Sequence, residues 1–215
     1  MTDHTDLRDR IEDLLKDSGN VDWSTDEIDN ALRIAINELS ENMPSRTVTT
    51  IDAVDDTYEY SLAAVSGLVA VVEVWYPYLS TDDAYKLPHP VKWRMLTDSI
   101  LILDVEGDPD DTYDLRVFYD QVQTIAGLDS AGATTLNEAQ KSALILGAAG
   151  YAALALAMDK VDKVAVGGAA SEDLRKWGWA RTLEFRQRIG EMADRQVQSE
   201  DSRVGWWPAD KSDAG

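Results

Sequence analysis

The sequence predicts an α+β protein: a mainly helical bundle of about four helices with a β-rich insertion of about five strands between its second and third helices. The hydrophobic pattern has a helical period at both ends of the chain and a period of two in between. The stretch from Ser142 to Met158 carries no charged residue, so it predicts a helix that other elements surround. Periodicity ends at Ser199, which predicts an extended C-terminal tail.

These patterns divide the chain into four predicted segments. Residues 1–45 form the N-terminal helices of the bundle, and residues 46–125 form the β-rich insertion. Residues 126–198 form the central and C-terminal helices, and residues 199–215 form the tail.

The first two helices are predicted to be amphipathic. The first runs from Asp6 to Asp17 and is followed by Gly19, which is placed to end it. Ser24 and Glu27 have the spacing of a capping box, so the second helix should begin there. Its apolar stripe should pack against the central helix, and a proline soon after the stripe prevents continuation.

The β-rich insertion is predicted from alternating side chains. Residues 46–51 and 57–62 alternate, and the acidic turn at Asp55 and Asp56 between them predicts a β-hairpin. Further strands are predicted at residues 68–76, 100–105 and 113–119. A small basic island interrupted by prolines is predicted to be a loop with an irregular turn or edge, and it contains Lys86, Lys92, Trp93 and Arg94.

The central helix is predicted from Thr135 to Met158. Thr135 and Glu138 have capping-box spacing. The abundant Ala and Gly allow neighbouring backbones to approach, and we expect Gly147 and Gly150 to lie at a close helix crossing.

The last helix is predicted to begin at Ser171, after a break at Gly167 and Gly168 that we interpret as a hinge or linker. Trp177, Trp179 and Leu183 flank its apolar stripe, and the tryptophans are interpreted as core residues. The stripe itself consists of Leu174, Gly178, Thr182, Phe185, Ile189 and Met192.

The composition narrows the classes of function. The net charge of -20, from 40 acidic and 20 basic residues, argues against a protein that coats nucleic acid. Acidic residues spread along the whole chain are typical of proteins from halophilic hosts, although an ordinary acidic protein stays an alternative. The absence of Cys excludes disulfides and thiol catalysis. The acidic N-terminus is not expected to be a signal peptide, and burial of the central helix in protein is favoured over a membrane span.

No residue pattern indicates catalysis, so no catalytic residue, cofactor site or metal site is predicted. His4 and His89 lack partner spacing and are expected at the surface. A run of oxygen donors could hold a hard cation, but a solvated hairpin tip is the favoured interpretation. The run consists of Asp104, Glu106, Asp108, Asp110 and Asp111.

The order of these elements resembles that of the head-to-tail adaptor, or connector, proteins of tailed viruses. The resemblance covers most of the chain and lies in patterns of element order. It is carried by the helix from Trp23 to Asn42 that ends near Pro44, the Tyr-Glu-Tyr-Ser-Leu strand at residues 58–62, the Gly-Ala-Ala-Gly-Tyr-Ala-Ala-Leu-Ala helix at residues 147–155, and the segment from Trp177 to Arg186 before the tail.

The resemblance implies a structural virion protein of the neck, assembled in the host cytoplasm. It implies a homo-oligomeric, dodecameric ring that joins the portal protein to a tail-side head-completion or stopper protein, with DNA passing through the lumen without specific binding. In related adaptors the C-terminal segment engages the portal, and the residues in the matching place here are Arg203, Trp206, Trp207 and Pro208.

Two alternatives stay open. One is a soluble α+β ligand-binding or enzymatic protein with a pocket between sheet and bundle. The other is a membrane-associated protein that uses the central helix.

Overall fold

The computed structural model describes residues 3–17, 19, 21–82, 85, 88–162 and 168–204, with the backbone alone for residues 160–162, 168–170 and 199–204. The chain divides into two compact units. The helical unit comprises Met1–Met43 and Gln123–Gly215, and the β unit comprises Pro44–Val122. The helices and strands confirm the predicted α+β class, with the strands between the second and third helices.

Four helices are described in the helical unit: α1 Asp3–Leu15, α2 Thr25–Asn42, α3 Glu138–Asp162 and α4 Gly168–Val204. Their buried apolar faces share one core, which includes Leu32 of α2, Leu144 of α3 and Phe185 of α4. The predicted stripe of α2 does pack on α3. The segment Glu138–Asp159 of α3 is long and apolar enough to span a membrane, and 56% of its most apolar window is buried inside the protein.

The α3–α4 crossing is close enough to exclude side chains, as the glycines predicted. A Cβ on Gly150 would lie 2.9 Å from the backbone nitrogen of Thr182 and 3.0 Å from the Gly178 oxygen. A Cβ on Gly147 would lie 2.8 Å from the ring of Phe185. Because Thr182 and Phe185 are also buried, small residues on α3 are what allows α4 to pack there.

The capping-box prediction is confirmed for α2 and wrong for α3. Ser24 and Glu27 make both bonds of the box. In α3 the reciprocal pair is instead Asn137 and Gln140, whose side chains accept from each other's backbone N–H at 2.9 Å. Thr135 is engaged elsewhere, because its hydroxyl donates to Gln123 Oε1 at 2.6 Å.

Other helix boundaries also differ from the predictions. Helix α1 begins at Asp3 and ends before Gly19, because Lys16 adopts a left-handed conformation with φ 58°. Helix α4 begins at Gly168, before Ser171, and continues past Ser199 to Val204. Residues 199–204, which were predicted to be part of the extended tail, are therefore helical. The hydrogen-bonded helix continues beyond the last residue of its apolar stripe.

The two chain segments that flank the β unit are tied together inside the helical unit. The backbone N–H of Gln123 donates to Ser40 Oγ at 2.9 Å, and its side-chain amide donates to the Met43 carbonyl at 2.7 Å. Gln123 is buried, and Thr135 satisfies its other side-chain atom. The chain therefore leaves and re-enters the helical unit at one fixed point.

The described part of the β unit forms two antiparallel three-stranded sheets, in the orders β1-β6-β3 and β2-β5-β4. Alternate residues of both sheets enclose one core, with Val74, Leu101, Leu115 and Val117 at its centre. The six strands are β1 Ser45–Asp52, β2 Glu59–Ser61, β3 Leu68–Tyr78, β4 Lys92–Thr97, β5 Ile100–Asp104 and β6 Asp114–Gln121.

The predicted hairpin between residues 46–51 and 57–62 is wrong. Strand β1 pairs with β6 along all of its 8 residues, and β2 pairs with β5. The turn at Asp55 and Asp56 therefore carries the chain from one sheet to the other. Alternation identifies a strand but does not identify its partner, and here both partners lie far along the chain.

Two further details of the insertion differ. The basic island was predicted to be a loop, but Lys92, Trp93 and Arg94 form the first half of β4 and pair with β5; Lys86 lies outside the described residues. Antiparallel edge strands tolerate charge on their exposed face, which explains the basic residues of β4.

The acidic segment after Asp104 is not a hairpin tip, because β5 and β6 belong to different sheets.

Candidate functional site

The residues predicted to bind a partner lie at the end of α4 and beyond it. Arg203 is in the last turn of α4, where the structure describes the backbone alone. Trp206, Trp207 and Pro208 lie outside the described residues. The predicted binding segment thus follows directly from a helix of 37 residues, about 55 Å long.

An exposed apolar patch lies on the same helix. Trp179 is 57% exposed and Leu183 is 67% exposed, and residues four apart share one face of a helix. This α4 patch, Trp179 with Leu183, corrects the expectation that the tryptophans are core. Each of its residues is one position after a buried stripe residue, about 100° around the helix, and that offset was readable from the sequence. Trp177, by contrast, packs on the core.

The surface beside the patch is held by a polar network between three helices. The Arg186 Nε of α4 donates to Glu38 Oε1 of α2 at 2.6 Å. The Tyr151 hydroxyl of α3 donates to the second oxygen of Glu38 and accepts from Arg186 Nη2 at 3.2 Å. Burial and the hydrogen bond to Glu38 raise the pKa of Tyr151, so its phenol remains protonated at neutral pH. The network fixes α4 relative to α2 and α3.

A second network joins α1 to α2. The His4 Nε2 lies 2.8 Å from Asp29 Oδ1, and Arg8 donates to both oxygens of the same carboxylate. His4 is only 9% exposed, so the expectation of a surface histidine is wrong. Because charge-assisted hydrogen bonds to a partly buried carboxylate are stronger than neutral ones, these residues serve to hold the helices together.

The candidate cation donors are only partly brought together. Carboxylate oxygens of Asp55, Asp110 and Asp111 lie within 4.8 Å of one another, and all three residues are exposed. Their oxygens also accept from the loop's own backbone, since the Asp111 N–H donates to Asp55 and the Thr112 N–H to Asp110. The hydroxyl and N–H of Thr112 lower the pKa of Asp110.

The remaining predicted donors do not join this cluster. Asp108 accepts a hydrogen bond from the Tyr58 hydroxyl at 2.8 Å. Asp104 ends β5, and Glu106 is exposed after it. These carboxylates are explained by turn structure, which favours the interpretation as a solvated acidic segment.

A family model described as SU10 adaptor protein matches residues 2–205. The match includes every helix and strand of both units and stops before Trp206. No curated protein matches the chain.

Proposed function

The chain belongs to the SU10 adaptor protein family, a family of head-tail connector components of virions, and we propose that copies of it form a ring seated on the portal protein. The resemblance drawn from element order is thereby confirmed at the level of the family. The protein is a structural component of the virion neck that connects portal and tail, and it is not an enzyme. The enzymatic alternative is therefore wrong.

The observation that carries the ring proposal is the α4 patch. Large apolar side chains with a contiguous exposed surface mark sites of protein association, and tryptophan is among the residues that contribute most to such interfaces. The patch lies on a helix that is locked to its neighbours through Arg186 and Glu38, so binding there costs little ordering. In this proposal the patch packs against a neighbouring copy, and the ring is dodecameric as the family resemblance implies.

The C-terminal segment is proposed to bind the portal through Arg203, Trp206, Trp207 and Pro208. Tryptophan and arginine are the side chains most enriched at the energetic centres of interfaces. The length of α4 would carry this segment well away from the core of the bundle. The opposite side of the ring would carry a tail-side head-completion or stopper protein.

The charge of the chain supports two further parts of the proposal. A ring whose lumen is lined by an excess of carboxylates repels phosphate, so DNA would pass without specific binding. The same excess of Asp and Glu fits a halophilic host, in whose cytoplasm the virion would assemble before the protein takes its place in the neck.

The ring proposal is tested with substitutions in the α4 patch. We expect the full chain to form a ring in light scattering and negative-stain images, alone or on portal, and expect Trp179→Ser with Leu183→Ser to abolish it. Ile34→Ser on α2, comparably exposed, is the matched control and should leave assembly unchanged. A ring that survives the double substitution contradicts the assignment of this patch.

The portal proposal is tested by truncation. Removing residues 205–215 keeps all of α4, so the melting temperature should stay the same while binding to portal weakens at least about tenfold, the equivalent of about 1.4 kcal/mol. Unchanged portal binding after truncation would show that the segment is not part of the portal interface, and loss of the fold would show that it is part of the core; either result contradicts the assignment.

A further inference from the structure

The two sheets of the β unit meet along β3 and β4 at one end only. Trp75 and Pro90 form an isolated antiparallel bridge, and the Val91 N–H donates to the Val74 carbonyl at 2.9 Å. Continuing this register would place residues 68–71 opposite residues 94–97. Among the described residues, however, no backbone hydrogen bond joins these two segments, and the strands belong to different sheets.

The separation of the strands leaves a cleft of about 600 Å³ between them. Its walls are residues 68–71 of β3 and the β4 side chains Trp93, Met95 and Leu96, with Asp98 at its rim. Val69 is 53% exposed and Leu96 is 52% exposed. The volume is within the range of about 300–1,000 Å³ that ligand sites occupy, and most of the side chains that line the cleft are apolar.

Both walls are also sheet edges. Strand β3 pairs with β6 on its other side, and β4 pairs with β5 on its other side. An edge strand presents a row of backbone N–H and C=O groups that can pair with an added strand. An extended segment lying in this cleft could therefore pair with backbone on one or both of its sides while its side chains contact the apolar walls.

We propose that this cleft binds an extended segment of another protein by β-strand addition, and that the segment has alternating apolar side chains and basic residues at its ends. Main-chain pairing supplies affinity in such complexes, and pockets for alternate side chains supply specificity. The basic ends follow from charge, because Asp98 is the charged residue among those that line the cleft and the β unit has three acidic residues for each basic one. Lys92 and Arg94 of β4 alternate with the lining side chains Trp93 and Met95 and so belong to the opposite face of the strand. This inference goes beyond the proposed ring and depends on neither the α4 patch nor the C-terminal segment.

A second copy of this chain is a poorer occupant. In the part of the chain that the structure describes, each edge strand is already paired on one side, as β1 is with β6, so such a strand offers one free edge to a cleft that has two. The surface of a second copy also carries the same acidic excess. A separate extended segment has both edges free to pair with β3 and β4, and a positive charge on it complements the acidic surface.

The experiment uses the full chain and a displayed library of random 12-residue peptides. Sequences are selected on the wild-type protein and counter-selected on the Val69→Asp and Leu96→Asp variants. We expect enriched peptides with alternating apolar residues and Lys or Arg near their ends. A synthetic copy of the most enriched peptide should bind at least about tenfold more weakly to either variant. Val54→Asp, in a loop of the same unit and 54% exposed, should leave its affinity unchanged.

Two readouts separate strand addition from other apolar binding. Methylating alternate backbone nitrogens of the peptide should sharply weaken binding, since it removes the donors that face one of the two edges and keeps the side chains. Bound peptide should slow hydrogen exchange at residues 68–71 and 94–97. Far-UV circular dichroism and melting temperature confirm that each variant is folded.

Several outcomes would overturn the proposal. These are a selection that enriches no cleft-dependent sequence, equal binding of the methylated peptide, or equal weakening by Val54→Asp. Enriched acidic peptides would refute the charge argument. Self-association of the free chain that Val69→Asp abolishes would assign the cleft to a second copy and would also refute the proposal.

Discussion

A single methyl group added at Gly150 tests the helix crossing on which the helical unit is built. The new Cβ would lie 2.8 Å from Thr182 Cγ2, 2.9 Å from the Thr182 nitrogen and 3.0 Å from the Gly178 oxygen. Two of these atoms are backbone, so relief requires α3 and α4 to move apart. Overpacking costs about 1–3 kcal/mol, whereas replacing Gly by Ala in a helix recovers about 1 kcal/mol. The two effects leave a net loss of about 0–2 kcal/mol. Because backbone atoms cannot rotate away, we expect Gly150→Ala to lie in the upper half of that range and to lose about 1–2 kcal/mol of unfolding free energy.

Gly190 in α4 supplies the matched control. A Cβ built there meets no atom within 4 Å, so Gly190→Ala should stabilise the protein by about 0.5–1 kcal/mol. Urea unfolding followed by far-UV circular dichroism measures both variants, and an unchanged slope shows that the same surface is exposed. In thermal unfolding the expected loss is about 2–8 °C for Gly150→Ala. A Gly150→Ala protein as stable as Gly190→Ala would refute the close crossing.

Two further predictions concern charge. Molar KCl shortens the screening length to about 3 Å, so the net charge of -20 predicts a melting temperature that rises steeply from dilute to molar KCl, and a constant value would contradict the halophilic assignment. The N–H of Trp23, with those of Val21 and Asp22, lowers the pKa of Asp17. A carboxyl group whose pKa is lowered in the folded protein stabilises the fold at pH values above its ordinary pKa of about 3.9. That stability is lost as the pH falls through the folded pKa. Asp17→Asn should therefore be less stable than wild type at pH 7 and differ little at pH 2 in urea titrations; an equal deficit at both pH values would contradict this.

The parts of the fold that sequence predicts well are those decided within one or two turns of chain. The capping box of Ser24 and Glu27 involves residues three apart, so its spacing is sufficient to locate the start of α2. The same spacing gave a wrong prediction at Thr135, because the Thr135 hydroxyl donates its hydrogen bond to the side-chain oxygen of the buried Gln123. His4 was misplaced for a similar reason, since its partner Asp29 is on another helix.

Strand pairing and the candidate surfaces depend on contacts that sequence does not display. Alternation located β1 and β2, but their partners β6 and β5 are set by the core that the two sheets enclose. The cleft between β3 and β4 follows from that pairing and had no signal of its own. Trp179 could have been assigned to the surface, because its offset from the buried stripe is fixed by helix geometry.

The hydrogen bonds of Gln123 to Ser40 and Met43 join the two ends of the opening into which the β unit is inserted, and all three residues belong to the helical unit. The chain departs at Met43 and returns at Gln123, and a direct hydrogen bond of 2.7 Å joins these two points. Any insert whose own ends lie close together would fit the same opening, and each doubling of the inserted length adds only about 0.6 kcal/mol of closure cost. The helical unit could therefore hold a different insert without a change in its own packing, and if the β unit binds the partner proposed above, such an exchange would change that partner alone.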